Sequence, residues 1–248
     1  MTFKVYIPAR YASLRLPGKP LLSLAGKPII QHVYDNARLS GAAEVVVSTD
    51  DDRIARVAAE FGASVVRTAG THISGTDRIA EAVAVRSEPD DTIIVNVQGD
   101  EPQLPATVIH QVATLIELNT GVDIVTICEP IEDARELDDP NIVKVVRTDN
   151  LRAIYFSRAP IPHARGGREL KLAHYRRHVG IYAYRVKYLR QFVETAAAEL
   201  ELIEHLEQLR AISNNATIIV ADAIAACGVG IDTRDDYERA QKYWEPSA

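Results

Sequence analysis

Residues 5–20, Val-Tyr-Ile-Pro-Ala-Arg-Tyr-Ala-Ser-Leu-Arg-Leu-Pro-Gly-Lys-Pro, join a short apolar run to a stiffened basic loop. Val5, Tyr6 and Ile7 have the character of a buried strand, and Pro8 stops it because proline lacks the N–H that a sheet ladder needs. The loop beyond carries three cations, Arg10, Arg15 and Lys19, with Ser13 as a small polar residue among them. Gly18 allows a tight turn or a close approach to a ligand. Pro17 and Pro20 stiffen the segment, so less entropy is lost when it clamps something. Positive side chains and free N–H groups just past a strand end suit a polyphosphate, although the same residues also read as a solvated basic loop. The loop is not a Walker A motif, since no G-x-x-x-x-G-K-[ST] occurs in the chain.

Outward from that strand, strand and helix patterns alternate. A helix is expected over 27–39, with Pro28 suited to its first position and Gly41 just past its end. A Val-rich strand follows over 44–48, then a helix over 52–61 whose stripe of Ile54, Val57, Ala58 and Phe61 stops at Gly62. A strand over 64–67 and a helix over 77–85 lead to a nearly continuous apolar strand over 92–97, the pattern of a parallel strand covered on both faces. A helix over 105–118 and a strand over 123–129 close this half. Successive strand–helix–strand units give a parallel sheet with right-handed crossovers. Ligands then sit at the carboxyl ends of the strands, where Arg10 and Asp100 both fall.

The rhythm changes near residue 140. Strands over 141–147 and 153–157 have no helix between them, a Pro/Gly/Arg-rich loop spans 160–172, and a strand returns over 178–184. Residues 140–185 therefore read as an antiparallel excursion from the main sheet. Helices over 186–198 and 200–213, a strand over 217–221 and a helix over 234–243 finish the chain. No repeat, low-complexity segment or linker interrupts it, so 1–248 reads as one α/β domain with that excursion inside it.

A chain of 248 residues, 47% of them hydrophobic, can bury a sizeable core without staples. Cys128 and Cys227 lie far apart and near no histidine cluster, which suggests neither a disulfide framework nor a zinc site and fits a reducing compartment. Met1-Thr2-Phe3-Lys4 runs straight into the first strand with no apolar leader, and no stretch approaches a membrane span, so a cytoplasmic location without membrane contact is expected. The net charge of −6 argues against a nucleic-acid surface, which needs clustered cations. Cations gathered in particular loops fit a small anionic ligand better.

Three further stretches carry chemistry. Gln98-Gly99-Asp100-Glu101-Pro102 follows the best core strand, and a carboxylate there can hold a hard divalent cation against substrate phosphates; alone, it is also an ordinary acidic turn. Asp232, in Gly228-Val229-Gly230-Ile231-Asp232-Thr233, is its natural partner, yet an Asp before a helix is equally an N-cap. Ser74 and Asp77, in His72-Ile73-Ser74-Gly75-Thr76-Asp77-Arg78, fit a helix capping pattern and a nucleotide contact alike.

Seven runs in one order resemble the bacterial 3-deoxy-manno-octulosonate (Kdo) cytidylyltransferases, the CMP-Kdo synthetases. They are I-P-A-R-Y-A-S-x-R-L-P-G-K-P at 7–20, SGTDR at 74–78, VNVQGDEP at 95–102, YFSR at 155–158, RHVGIY at 177–182, LEQLR at 206–210 and GIDT at 230–233. The chain departs from the common pattern at Leu14, at Glu199 and in the Arg-rich loop of 162–175. The resemblance implies a three-layer Rossmann-like nucleotidyltransferase fold with a mostly parallel central sheet and a small antiparallel dimerisation excursion, hence a homodimer. It implies transfer of CMP from CTP to the anomeric hydroxyl of Kdo, with Mg²⁺ and release of pyrophosphate, for lipopolysaccharide biosynthesis. CTP would meet Ala9, Arg10, Ser13, Arg15, Lys19, Ser74, Gly75 and Arg78. Lys19, Asp100 and Asp232 would be catalytic, the two aspartates holding Mg²⁺. Gln98, Arg158, His178, Tyr182, Glu207 and Gln208 would form the sugar-acid pocket, a guanidinium matching the carboxylate and the others reading hydroxyls.

Taken singly, His178 passes as a structural histidine, Tyr182 as a core aromatic and Glu207 as a solvated charge. His205 with Glu199, Glu201 and Glu204 reads as an exposed helix face. Three rival functions have distinct signatures. A nucleotidyltransferase for a sialate-type acid, an 8-amino-Kdo or a sugar phosphate would share this fold and differ in acceptor. A dinucleotide-dependent dehydrogenase needs G-x-G-x-x-G between the first strand and helix, which is absent. A non-catalytic CTP-binding module would be expected to have lost a metal carboxylate, yet both aspartates are present.

Overall fold

In the computed structural model, which describes residues 2–12, 15–165 and 172–244, the apolar run at the start of the chain becomes β1 (Phe3–Ala9). A 3₁₀ turn at Lys19–Leu21, entered through Gly18 at φ 70°, leads into a two-residue ribbon, β2 (Ser23–Leu24) and β3 (Lys27–Pro28). Alternation then follows as α1 (Ile29–Leu39), β4 (Glu44–Thr49), α2 (Asp52–Glu60), β5 (Ser64–Arg67), α3 (Gly75–Val85), β6 (Ile93–Asn96), α4 (Ala106–Leu118) and β7 (Ile124–Pro130). Side chains start the helices: Asp51 accepts from the Arg53 and Ile54 N–H groups, and Ser74 from that of Asp77. Pro28 stands one position before the expected one, as the cap residue of α1.

The second half comprises α5 (Ala134–Asp138), β8 (Lys144–Arg147), β9 (Ala153–Ser157), β10 (Arg176–Arg185), α6 (Val186–Glu194), α7 (Glu199–Glu204), α8 (Gln208–Ser213), β11 (Ile218–Asp222) and α9 (Arg234–Trp244). Two expectations change here. The helix read over 186–198 stops at Glu194, and the helix read over 200–213 is two, broken at His205 in the left-handed region at φ 52°. The acidic face expected to be exposed is what fastens the break. Glu201 is buried and takes two hydrogen bonds from Arg210, at 2.6 and 2.8 Å. Glu204 accepts from the Ser157 hydroxyl at 2.6 Å and from the Arg158 N–H at 3.0 Å.

Among the described residues the main path of the sheet runs β11-β7-β10-β6-β1-β4-β5. β1 pairs in parallel with β4 and β6, β4 with β5, and β7 with β11, so β10 alone on this path opposes the others. The excursion is therefore narrower than 140–185. β8 and β9 branch from the main path as an antiparallel pair joined to β10 through β8, while β10 itself sits in the path between β6 and β7. Its sequence suits that place, with Val179, Ile181 and Ala183 buried on one face and Tyr184 on the other. α1, α2 and α4 cover one face over Val5, Ile7, Val47 and Val95. α3 and α6 cover the other over Tyr6, Val46, Ile94 and Tyr184. Three layers result, and the carboxyl ends of β1 and β6 open to the same side. Among the described residues no helix is long and apolar enough to cross a membrane.

Candidate active site

The strand ends of β1 and β6, the basic loop and the start of α3 surround a cavity of about 540 Å³. Ala9, Arg10, Arg15, Lys19, Ser74, Gly75, Arg78, Asp100 and Asp232 all line it, as does Gln98. Ser13 lies outside the described residues. The close packing depends on glycine: a Cβ on Gly99 would stand 2.9 Å from the Pro8 carbonyl oxygen, and one on Gly75 3.0 Å from Pro8 Cγ.

Lys19 is the hinge of the electrostatics. Its Nζ lies 2.5 Å from Asp100 Oδ2 and 3.0 Å from Asp232 Oδ1, and Arg15 reaches Asp232 Oδ2 at 3.0 Å. Burial pulls the Lys19 pKa down, but the two carboxylates outweigh it and hold the ammonium above its ordinary value. Two carboxylates that converge on one ammonium also fit a divalent cation, because both are hard oxygen donors and both are partly exposed. Among the described residues no group of three or more His, Cys, Asp or Glu side chains gathers there. Other ligands to such an ion would come from phosphate oxygens and water. Ile231 N–H donates to the Asp100 carbonyl at 2.9 Å, which ties the two aspartate loops together. Beside them Glu101 is pushed up to about 8 by burial first and by Asp100 and Asp232 next.

Arg78 borders the cavity but is committed to the protein. It donates to Thr68 Oγ1 at 2.6 Å and pairs with Asp50 at 3.1 Å, and its burial lowers its pKa. It braces the start of α3 against the ends of β4 and β5.

A second cavity, of about 510 Å³, shares Arg15, Gly75, Gln98 and Glu207 with the first. Arg158, Tyr182 and Gln208 join them there, leaving His178 as the one member of the expected set outside this cavity, and the break at His205 is what turns Glu207 and Gln208 inward. Burial raises the Glu207 pKa against the opposing hydroxyls of Thr76 and Ser74. His178 faces a third, adjoining opening of about 740 Å³ that also includes Tyr182, Gln208 and Asp232. Its Nε2 lies 2.9 Å from Thr126 Oγ1, and the Thr126 hydroxyl has its own acceptor in the Ile181 carbonyl at 2.7 Å. His178 therefore carries its proton on Nε2 and leaves Nδ1 as an acceptor. Burial depresses its pKa to about 3, so the ring is neutral.

Arg158 departs from the simple reading of a free fork. Its guanidinium donates to the carbonyls of Glu204 at 2.7 Å, Pro140 at 2.7 Å and His205 at 3.3 Å. Sequence reasoning missed Thr76, Tyr184 and Tyr188, which also line the second cavity. The signal for Tyr184 was present, since it lies two residues from Tyr182 on one strand and shares its face.

A cationic cavity and a cavity lined by polar side chains meet at Gln98, an arrangement that suits a nucleotidyltransferase. A cytidylyltransferase family profile matches residues 5–218. The chain is 52% identical over 246 residues to a 3-deoxy-manno-octulosonate cytidylyltransferase of Thioalkalivibrio sulfidiphilus, with 98% of each chain covered. It is 49% identical over 249 residues to the enzyme of the same name from Nitrosococcus oceani, covering 98% of this chain and 96% of that one. Among solved structures it resembles a CMP:2-keto-3-deoxy-manno-octonic acid synthetase complexed with CTP, at a TM-score of 0.89 and 39% identity, over 98% of this chain and 97% of that one. A cytidylyltransferase from Leptospira borgpetersenii, 18% identical at a TM-score of 0.63 over 99% and 88%, shares the fold. The chain belongs to the 3-deoxy-manno-octulosonate cytidylyltransferase family.

Proposed function

We propose that this enzyme transfers the cytidylyl group of CTP to the anomeric hydroxyl of Kdo, as a cytoplasmic step that supplies lipopolysaccharide synthesis. The observation that carries this reading is the shared wall. Gln98 and Glu207 border both the cationic cavity and the hydroxyl-reading cavity, so an acceptor oxygen and a nucleotide α-phosphorus can meet there. A bond forms from the anomeric oxygen to the α-phosphorus, and the bond from that phosphorus to the α,β-bridging oxygen breaks. Pyrophosphate leaves with the bonding pair, and the acceptor hydroxyl loses its proton.

Arg10, Arg15 and Lys19 hold the triphosphate and offset the charge that grows on the leaving group. Asp100 and Asp232 are the groups that would hold Mg²⁺, which when bound supplies Lewis-acid polarisation and charge neutralisation. Arg15 lines the acceptor cavity and offers its cation to the sugar carboxylate, while Arg158, held by three carbonyls, adds positive charge to the same wall. Tyr182, Glu207 and Gln208 orient its hydroxyls. His178, neutral and with a pKa near 3, is too weak a base to remove a proton at neutral pH, so it serves by accepting a hydroxyl hydrogen bond at Nδ1. Positioning and electrostatics then carry most of the rate. The β8–β9 pair, with Ile154 exposed, is the proposed contact between two copies.

Pyrophosphate release from CTP with Mg²⁺, with Kdo present or omitted and with Asp100→Ala as control, tests the reading. Release that needs both Kdo and Asp100 is the expected result. Silence with Kdo but turnover with 8-amino-Kdo or a sialate would keep the chemistry and sink the acceptor. Bound CTP without release under any acceptor would sink the enzyme reading.

A further inference from the structure

We propose that Glu129 and Arg177 are positioning residues that act through Cys227 to set Asp232 against Asp100; this rests on the reading of those aspartates as metal ligands. Between β11 and α9 the chain has no regular secondary structure of its own, yet it must deliver Asp232 to a point shared with Asp100. Most anchors along this segment are single neutral hydrogen bonds, such as the Val229 N–H to Gln103 Oε1 at 3.2 Å and the Ala223 N–H to the Cys128 carbonyl at 2.9 Å. Charged groups anchor it at two places: the Asp232 and Thr233 N–H groups donate to Asp236 Oδ2 at 3.1 and 2.8 Å, and upstream an ion pair holds Cys227. Its N–H donates to Glu129 Oε1 at 2.7 Å, and its carbonyl accepts from Arg177 at 2.7 Å. The other Glu129 oxygen accepts from the same Arg177 guanidinium. One ion pair thus grips both polar groups of one residue and fixes the peptide planes on either side of it.

Glu129 and Arg177 face each other across β7 and β10 in direct register, with side chains 11% and 17% exposed. Desolvating two charges makes such a pair a weak source of stability, so its role is geometric. Downstream of Cys227 the segment lies close against the Asp100–Glu101 loop. A Cβ on Gly230 would stand 2.7 Å from Glu101 Oε1, and Ile231 is tied to the Asp100 carbonyl. Displacement at Cys227 is therefore passed along a tightly packed segment to Asp232. Arg177 also immediately precedes His178 on β10, so the acceptor strand and the Asp232 segment share one anchor. The pair bonds Cys227 and not Asp232 itself, so its effect is passed along the chain and falls below the about 10–100-fold lost when a partner hydrogen-bonded to a metal ligand is removed.

The test uses the full chain and Mn²⁺ as probe, titrated into CTP-loaded protein and read by the electron paramagnetic resonance of free Mn²⁺. In Glu129→Gln/Arg177→Met both charges go together, leaving neither buried alone, so the variant should melt close to wild type. Its Mn²⁺ affinity should fall by about fivefold, less than for a direct partner of a ligand, while CTP binding in EDTA stays within about twofold. Glu129→Gln alone, read below its melting temperature, should fall in the same direction. Mn²⁺ affinity within about twofold of wild type in both variants would overturn the proposal, as would an equal loss of CTP binding in EDTA. None of these readouts uses an acceptor sugar. Absence of product with Kdo in the wild type would sink the acceptor reading alone, whereas wild type that binds no Mn²⁺ would sink the metal reading and this inference with it.

Discussion

One methyl group at Gly228 tests whether the packing of the 227–231 segment sets the reactive geometry. A Cβ there would lie 2.6 Å from Gln103 Cδ and nearer still to Gln103 Oε1 and Cβ. Ordinary carbon contacts are about 3.5–4.0 Å, so the segment or Gln103 has to move by about 1 Å. Turning the Gln103 side chain does not relieve a clash that includes its Cβ, and it also surrenders the hydrogen bond to Val229. Gly228 is outside the left-handed region, so the backbone accepts alanine and the effect is one of contact. Overpacking of this kind costs about 1–3 kcal/mol. For a chain of this size that lowers the melting temperature by about 2–12 °C. Moving Asp232 by about 1 Å should reduce turnover about 10²-fold. The assay is pyrophosphate release at saturating CTP and acceptor beside thermal melting, with Gly121→Ala as control because nothing lies within 4 Å of its Cβ. Turnover within about threefold of wild type, with melting unshifted, would refute the claim that this segment's placement fixes Asp232.

Arg210→Ala leaves Glu201 buried without its partner and should cost about 3–5 kcal/mol, seen as a melting temperature lower by about 6–20 °C. Glu101 links stability to pH in the metal-free protein. The folded chain keeps its proton while the unfolded chain loses it near pH 4.5, so stability falls as pH rises from about 4.5 toward about 8. Glu101→Gln should then melt higher than wild type at about pH 7.5 in EDTA and lose that slope; parallel melting curves against pH would contradict it. His178 should show one neutral tautomer, protonated at Nε2, by ¹⁵N NMR from about pH 5 to 9. A midpoint near its ordinary value would contradict its burial.

Much of the machinery was legible because it is local. Val5 to Ile7 read as a strand from their apolar character, and they are one, but Pro8 does not stop it: β1 runs on through Pro8 and Ala9, in register with Ser48 and Thr49 of β4. The stripe of Ile54, Val57, Ala58 and Phe61 announced α2 and its stop at Gly62. Arg10 and Asp100 stood just past strand ends, where an α/β sheet gathers its ligands. Illegible were contacts whose partners are distant in the chain. Glu201 and Glu204 look like a solvated face until Arg210 and Ser157 are brought against them. That closure bends the chain at His205 and turns Glu207 into the cavity.

Residue type and short-range period determined by themselves that the chain alternates strand and helix, that a basic loop follows the first strand and that two acids stand at loop positions. Both signals depend only on neighbours within a turn or a pleat. The tertiary structure alone decided that β10 runs against the sheet between β6 and β7, that Lys19 joins aspartates 81 and 213 residues away, and that Arg158 spends its guanidinium on carbonyls. Strand order and the pairing of buried charges are settled by which distant surfaces exclude water together, and no window along the chain contains both sides of such a contact.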